Sequence, residues 1–346
     1  MKKVGIITIF DENNYGNRLQ NYAVQEVLKS LGFFAETINN VNIIKNANYF
    51  NKAKSIMPQR REKFLEFNKL NMNITDEIIF HNEVPVNFHE RYDYFVIGSD
   101  QIWNYRFEDR FSEFSFATFA PKEKRISFSA SFGISQLEPS NYEQYKNLSD
   151  MKAISVRENA GKEIVEKITG RKDVQVLIDP TMMLSAEKWT RVMKRPENLK
   201  TDRYILKYFL GDMSKEKSEE IERFAKENNC EIIDILDKNT FYGTGPSEFI
   251  YLIKNSFMVL TDSFHSCVFS IIFNRPFLVF EREEKEEMLK DMNSRIVTLL
   301  EKFELKNRSF TDKIYNEQLE VDYSNAYLIL EKEQQKVLNY LQKVLR

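Results

Sequence analysis

The residues best able to do chemistry in this chain stand directly after short apolar runs. His265 closes FMVLTDSFH (257–265), and Arg157 follows AISV in AISVRE (153–158). A histidine titrates near neutrality and can carry a proton or hold an anion. An arginine fork matches the paired oxygens of a carboxylate or phosphate. Arg295, in NSRIV, begins a helical stretch, where a cation opposes the helix dipole and a bound anion would compensate it. Asn13, Asn14, Tyr15, Gly16 and Asn17 lie in DENNYGNR (11–18), and Ser99, Asp100 and Gln101 follow the run YDYFVIG. Amides both donate and accept hydrogen bonds, which suits the hydroxyls of a sugar. Each has a plain alternative. His265 can be a structural hydrogen bonder, Arg157 an ion-pair partner of Glu158 or Asp179, Arg295 a surface residue, and 11–18 a turn with a helix cap. Asp262 or Ser263 is available to cap the helix that carries His265.

These residues can converge only if the runs before them are parallel strands. The chain has ten glycines, and several punctuate the pattern. Strand 4–10, helix 17–31, a stop at Gly32 and strand 34–38 make a βαβ unit. Further strands are expected at 92–98, 125–133, 153–156 and 174–180, with a helical stretch near 140–150 and a helix at 159–169 capped by Gly170. The polar stretch KRPENLKTD (194–202) reads as a linker. A second α/β half follows: strands 204–212, 230–236, 257–265 and 275–282, helices 214–228, 266–274 and 294–303, a loop and helix over 243–256, and a C-terminal helix 323–346. The domains are therefore expected at 1–197 and 198–346. Open parallel sheets bind ligands beyond the carboxyl ends of their strands, so a cleft between the two halves is the expected site.

Composition narrows the function. Fifty Lys plus Arg against 52 Asp plus Glu give a net charge of −2, which supplies no global attraction to nucleic acid. Segment 45–72 is locally basic and reads as helices; its face is either solvated or a peripheral contact with an anionic lipid headgroup or diphosphate carrier. Cys230 and Cys267 sit in apolar stretches and are expected as buried thiols in a reducing compartment. His81, His89 and His265 are too few and too scattered for a zinc motif, so no metal is expected. The N-terminus lacks a signal-peptide pattern, and the longest apolar run, 266–280, is interrupted by Asn274, Arg275 and Pro276. A cytoplasmic location is expected. Residues 11–18 match neither a Walker loop nor GxGxxG.

FDENNYGNRLQNYAVQEVLKSLG (10–32), FVIGSDQIWN (95–104), AISVRE, VLIDPTMML (176–184), VLTDSFHSCVFSIIFNRPFLVF (259–280) and NSRIVTLLEKFEL (293–305) together resemble the polysaccharide pyruvyl transferase family. The likeness spans about residues 1–305, and NYGNRLQNYA with TDSFHS is its most specific part. It implies an α/β fold of two Rossmann-like domains facing a central cleft, similar to GT-B glycosyltransferases, with the acceptor on the N-terminal side and the donor on the C-terminal side. It implies phosphoenolpyruvate as the donor substrate, no other cofactor, and a cyclic ketal formed on two hydroxyls of a sugar. The acceptor would be a cell-surface polysaccharide or its lipid-linked precursor, handled at the inner face of the membrane, as in capsule or exopolysaccharide biosynthesis.

On the same resemblance Arg157 matches a donor-binding arginine, and His265 the histidine of a family Arg-x-His pattern. Ser263 stands where that pattern has arginine, and Arg295 is expected to supply the missing charge. The expected catalytic set is His265, Arg157 and Glu158; the donor set is Arg157, Ser263, His265, Ser266 and Arg295; the acceptor set is Asn14, Tyr15, Gly16, Asn17, Ser99, Asp100 and Gln101. Two other readings stay open. One is a GT-B-like glycosyltransferase using a nucleotide sugar, with Glu248 the nearest ribose-binding carboxylate. The other is an inactive sugar-binding scaffold.

Overall fold

A computed structural model describes residues 1–41, 57–80, 83–106, 112–282 and 294–346. His81 and Lys45, Lys52 and Lys54 of the basic segment lie outside the described residues. The chain divides into two compact units: residues 1–56, 64–184 and 332–346 form unit 1, and 57–63 with 185–331 form unit 2.

Unit 1 is built on a parallel sheet of β1 (Lys3–Ile7), β2 (Phe34–Val41), β3 (Ile74–Phe80), β4 (Tyr94–Ile97) and β5 (Arg125–Ser127), in the order β3-β2-β1-β4-β5. A short parallel pair, β6 (Ser155–Val156) and β7 (Gln175–Val176), continues it through the bridges Ile126↔Ala153 and Ala130↔Val156. The central strands bury nearly every side chain, as strands covered on both faces must. After β1 comes α1 (Tyr15–Ser30), whose N-cap Asn14 accepts from the Asn17 N–H through its side chain. Leu31 caps its C-terminus and Gly32 follows at φ +86, where a Cβ would be strained. Strand order reverses direction between β1 and β4. Such a switch point leaves a crevice at the carboxyl ends, where ligands bind in open parallel sheets.

Unit 2 repeats the device. Its parallel sheet runs β11-β10-β8-β9, from β8 (Tyr204–Tyr208), β9 (Glu231–Asp234), β10 (Met258–Thr261) and β11 (Phe277–Val279). The order reverses between β8 and β10, and α2 (Phe264–Ile272) leaves the end of β10 with every residue buried.

Several expectations need adjustment. The run 125–133 is strand only to Ser127, because Ser129 adopts φ +51 and breaks the ladder. Strand β3 and the helix Ala186–Arg191 were not read from the sequence. The expected division at 197/198 compares with one after Leu184. The C-terminal helix, Ser324–Val344, does not belong wholly to the second unit: from Lys332 it is part of unit 1, where the Tyr340 hydroxyl donates to Ser127 O at 2.8 Å. The described part of the basic segment is the helix Pro58–Asn71. There Arg60 is buried, donates to Tyr242 O at 3.0 Å and lies over the Tyr242 ring, while Lys63 pairs with Glu248 at 2.7 Å. Those two cations serve packing within unit 2 rather than a solvated face. Cys267 is buried, but Cys230 is only half-buried.

Candidate active site

In unit 1 the polar residues collect at the β1/β4 switch point. Gly98 follows β4 at φ +116, and a Cβ there would meet Phe128 O at 2.6 Å, so only glycine fits. Gln20 of α1 clamps the turn: its carbonyl accepts from Ser99 N at 2.9 Å, and its amide donates to Thr8 Oγ1 at 2.9 Å. Asp100 follows at φ +65, a strained setting for a non-glycine residue. It accepts from Asn17 Nδ2 at 3.2 Å and lies 3.5 Å from Arg157 Nη2.

Arg157 is buried, and its main partner is Asp179, with Nη1 to Oδ2 at 2.6 Å. Of the two ion-pair partners open in the sequence, the geometry selects Asp179 and adds Asp100. Burial opposes the Arg157 charge, but Asp179, Asp100 and Glu158 outweigh it and raise the guanidinium pKa. Asp179 also takes Thr181 N and Thr181 Oγ1 on its other oxygen, and Ser99 Oγ donates to it at 3.3 Å. Glu158 is fully buried. Its Oε1 accepts from Phe132 N at 2.7 Å, Ser131 Oγ at 3.0 Å and Gly133 N at 3.3 Å, while Oε2 has no hydrogen-bond partner among the described residues.

The expected acceptor set is thus only partly surface. Asn14 is exposed and acts as a helix cap. Gln101 accepts from Asn104 Nδ2 at 2.8 Å. Asn17 and Gly16 are buried in the first turn of α1. Tyr15 is fully buried and stacks on Phe64 with centroids 5.5 Å apart, so its ring packs in the core.

In unit 2 the crevice between β8 and β10 has a different build. Asp262, one of the two caps expected for α2, does not cap it. It accepts the N–H groups of Leu210 and Gly211 at 2.7 and 2.8 Å and pairs with Arg282 at 3.2 Å. Ser263 occupies the N-cap position but makes no side-chain cap bond; its N–H donates to Thr261 Oγ1 at 3.0 Å. The helix begins two residues earlier than expected, which puts His265 inside its first turn, buried, with its ring edge-on to Phe264. Ser266 is fully buried and its Oγ has no partner among the described residues. Arg295, in the first turn of helix α3 (Ser294–Lys302), is buried rather than exposed, with its guanidinium 6.0 Å from the centre of the Phe264 ring. His265, Ser266 and the Asp262–Arg282 pair lie at one helix N-terminus, with Arg295 against Phe264 of its first turn, and such a terminus is a favourable place for negative charge. Among the described residues no group of three or more His, Cys, Asp or Glu could hold a metal ion.

Arg18, Gln20 and Arg282 were missed in the sequence. Arg282 follows β11 as Arg157 follows β6, so the strand-end rule reaches it. Gln20 lies inside a helix and gives no such signal.

The family model for polysaccharide pyruvyl transferase matches residues 14–284, a span that holds both strand-end clusters except Arg295. The chain belongs to the polysaccharide pyruvyl transferase family. Among solved structures, a putative UDP-N-acetylglucosamine 2-epimerase from Listeria monocytogenes is similar at 14% identity and TM-score 0.50, with 97% of this chain and 91% of that one covered. At that identity the likeness concerns the fold alone, and the family member is GT-B-like α/β with two Rossmann-like units. A glycosyltransferase from Rickettsia africae is more distant, at 13% identity and TM-score 0.44 over 97% of this chain and 93% of that one. No curated protein matches the chain in sequence. Among the described residues of this transferase-family chain, no helix is long and apolar enough to cross a membrane.

Proposed function

We propose that the protein transfers pyruvyl from phosphoenolpyruvate to two hydroxyls of one sugar, in a cell-surface polysaccharide or its lipid-linked precursor, and forms a cyclic ketal. The family match across both units carries this reading. The two strand-end clusters support it, because the donor bears a phosphate and a carboxylate and needs cations and helix-end N–H groups.

A proton adds to the donor's methylene carbon, and the electron-poor centre that results is attacked by the first hydroxyl. Phosphate leaves with the C–O bond electrons, the second hydroxyl closes the ring, and one hydroxyl proton departs with phosphate while the other balances the methyl group. In this reading His265 of unit 2 holds phosphate or moves a proton, and Arg295 and Ser266 bind the donor. Within unit 1, Arg157 is the donor-binding arginine, and Glu158, whose Oε2 has no hydrogen-bond partner among the described residues, is the carboxylate for acid or base work. Asn14, Asn17, Ser99, Asp100 and Gln101 are the groups for acceptor hydroxyls. The reaction takes place on the cytoplasmic side, where phosphoenolpyruvate is made, and uses no further cofactor.

The nucleotide-sugar reading loses its ribose carboxylate, since Glu248 is bound to Lys63 and to Gly245 N at 3.1 Å. Incubation with phosphoenolpyruvate and a panel of sugars and lipid-linked glycans, read by phosphate release and glycan mass, tests the proposal. Phosphate release with a matching ketal mass is expected. No release with any acceptor would leave the inactive scaffold, and glycan extension from a nucleotide sugar would favour the glycosyltransferase.

A further inference from the structure

Unit 1 contains a second buried arginine at the same switch point. Arg18 stands in the first turns of α1, is 0% exposed, and lays its guanidinium over the Phe10 ring at 4.4 Å. One nitrogen, Nη2, donates to Asp11 O and to Asn17 Oδ1, both at 3.3 Å. Nε and Nη1 have no hydrogen-bond partner among the described residues. Arg157 nearby holds its charge against two carboxylates.

A buried guanidinium without a close counter-charge is costly, and each unmade donor adds to the cost. Asp11 and Glu12 support the Arg18 charge through space, yet burial dominates and pulls its pKa to about 10. It stays cationic at neutral pH. The first turn of α1 has no acidic residue, so the positive end of the helix dipole reinforces the guanidinium. An arginine whose only task was to pin the 11–14 loop would spend its fork on loop carbonyls; here one nitrogen does so. Asn17 ties Arg18 to Asp100, and Asp100 faces Arg157, so the two guanidiniums serve one crevice.

We infer that Arg18 is an anion-binding arginine of unit 1, taking a phosphate or carboxylate oxygen of the substrate at the N-terminal turn of α1. The inference requires an oxyanion and not a reaction, so it does not depend on the pyruvyl reading.

The test uses the full chain, with the arginine side-chain Nε–H groups followed by 15N NMR and the Arg18 signal assigned by its loss in Arg18→Lys or Arg18→Gln. Inorganic phosphate and pyruvate are titrated separately. A saturable shift of the Arg18 signal is expected; phosphate alone identifies a phosphoryl group, and pyruvate alone a carboxylate. No movement with either anion overturns the inference. Arg18→Lys, which keeps the charge and loses the fork, should bind the responsive anion about tenfold more weakly. Unchanged affinity in that variant would mean that the shift reports binding elsewhere, and would overturn it too. Phosphate release from phosphoenolpyruvate is measured on the same sample with the panel of sugars and lipid-linked glycans added. Anion binding at Arg18 without release would remove the transferase reading and leave this one standing.

Discussion

The two units solve the same problem with opposite materials. Each sheet reverses strand order once, and each reversal opens a crevice with a buried aspartate at the carboxyl end of a strand. In unit 1 that aspartate, Asp100, joins Asp179 around Arg157. In unit 2 Asp262 is spent on two backbone N–H groups and Arg282, which leaves the first turn of α2 to His265 and Ser266 beside Arg295. The difference separates a crevice whose arginine is paired with aspartates from one whose cations border a helix N-terminus. Among the described residues, unit 1 departs from this pattern at Arg18 and at Glu158 Oε2.

The sharpest way to break the comparison is Asp179→Ala. It removes the 2.6 Å carboxylate partner of buried Arg157 and the acceptor of Thr181 N and Oγ1. A loss of about 3–5 kcal/mol in denaturant unfolding is expected, and adding Arg157→Met should recover much of it. A loss below about 1 kcal/mol would mean that the Arg157–Asp179 pair is not what holds unit 1.

His265→Ala should do the reverse. Turnover should fall by roughly 10²–10⁴, while stability changes by only about 1–2 kcal/mol. Full activity in that variant would remove unit 2 from the chemistry.

Arg295→Ala is a smaller perturbation. The donor KM should rise about tenfold, the worth of one charge-assisted contact, with little change in kcat. An unchanged donor KM would end the idea that Arg295 replaces the charge missing at Ser263.

Alkali tests a respect in which the units are alike. Tyr145 and Tyr340 in unit 1, and Tyr204 and Tyr323 in unit 2, have phenol pKa values pushed up by burial. Unfolded phenols ionise near pH 10 while these keep their protons, so stability should be unaffected below about pH 10 and fall above it, by roughly 1.4 kcal/mol per pH unit for each. Arg18, with its lowered pKa, acts in the opposite sense and offsets one of them. Phenolate absorbance should therefore rise together with unfolding; complete ionisation near pH 10 with native ellipticity intact would contradict this.

The smallest effect separates the two cysteines. Burial pushes the Cys267 thiol up, so it should resist thiol reagents in the folded protein, while half-buried Cys230 should be labelled first. Equal labelling rates would show that α2 opens readily.

The sequence by itself determined the parallel α/β class and where chemistry could sit. Apolar runs of strand length ending in Gly98, Arg157 or His265 can be buried on both faces only in a parallel sheet, and that burial forces the polar residues to the strand ends. It also showed the family likeness, because the order and spacing of the motifs lie along the chain. Tertiary structure alone decided which charges cancel. Arg157 and Asp179 are separated by a helix and a strand, and their pairing depends on β6 lying beside β7. The same holds for Asp262 with the N–H groups after β8, for Arg60 and Lys63 turning inward, and for Tyr15 packing on Phe64. A side chain's spacing along the sequence fixes the face it shows, but its partner is set by which strands and helices become neighbours, and desolvation then decides whether a charge is silent or active.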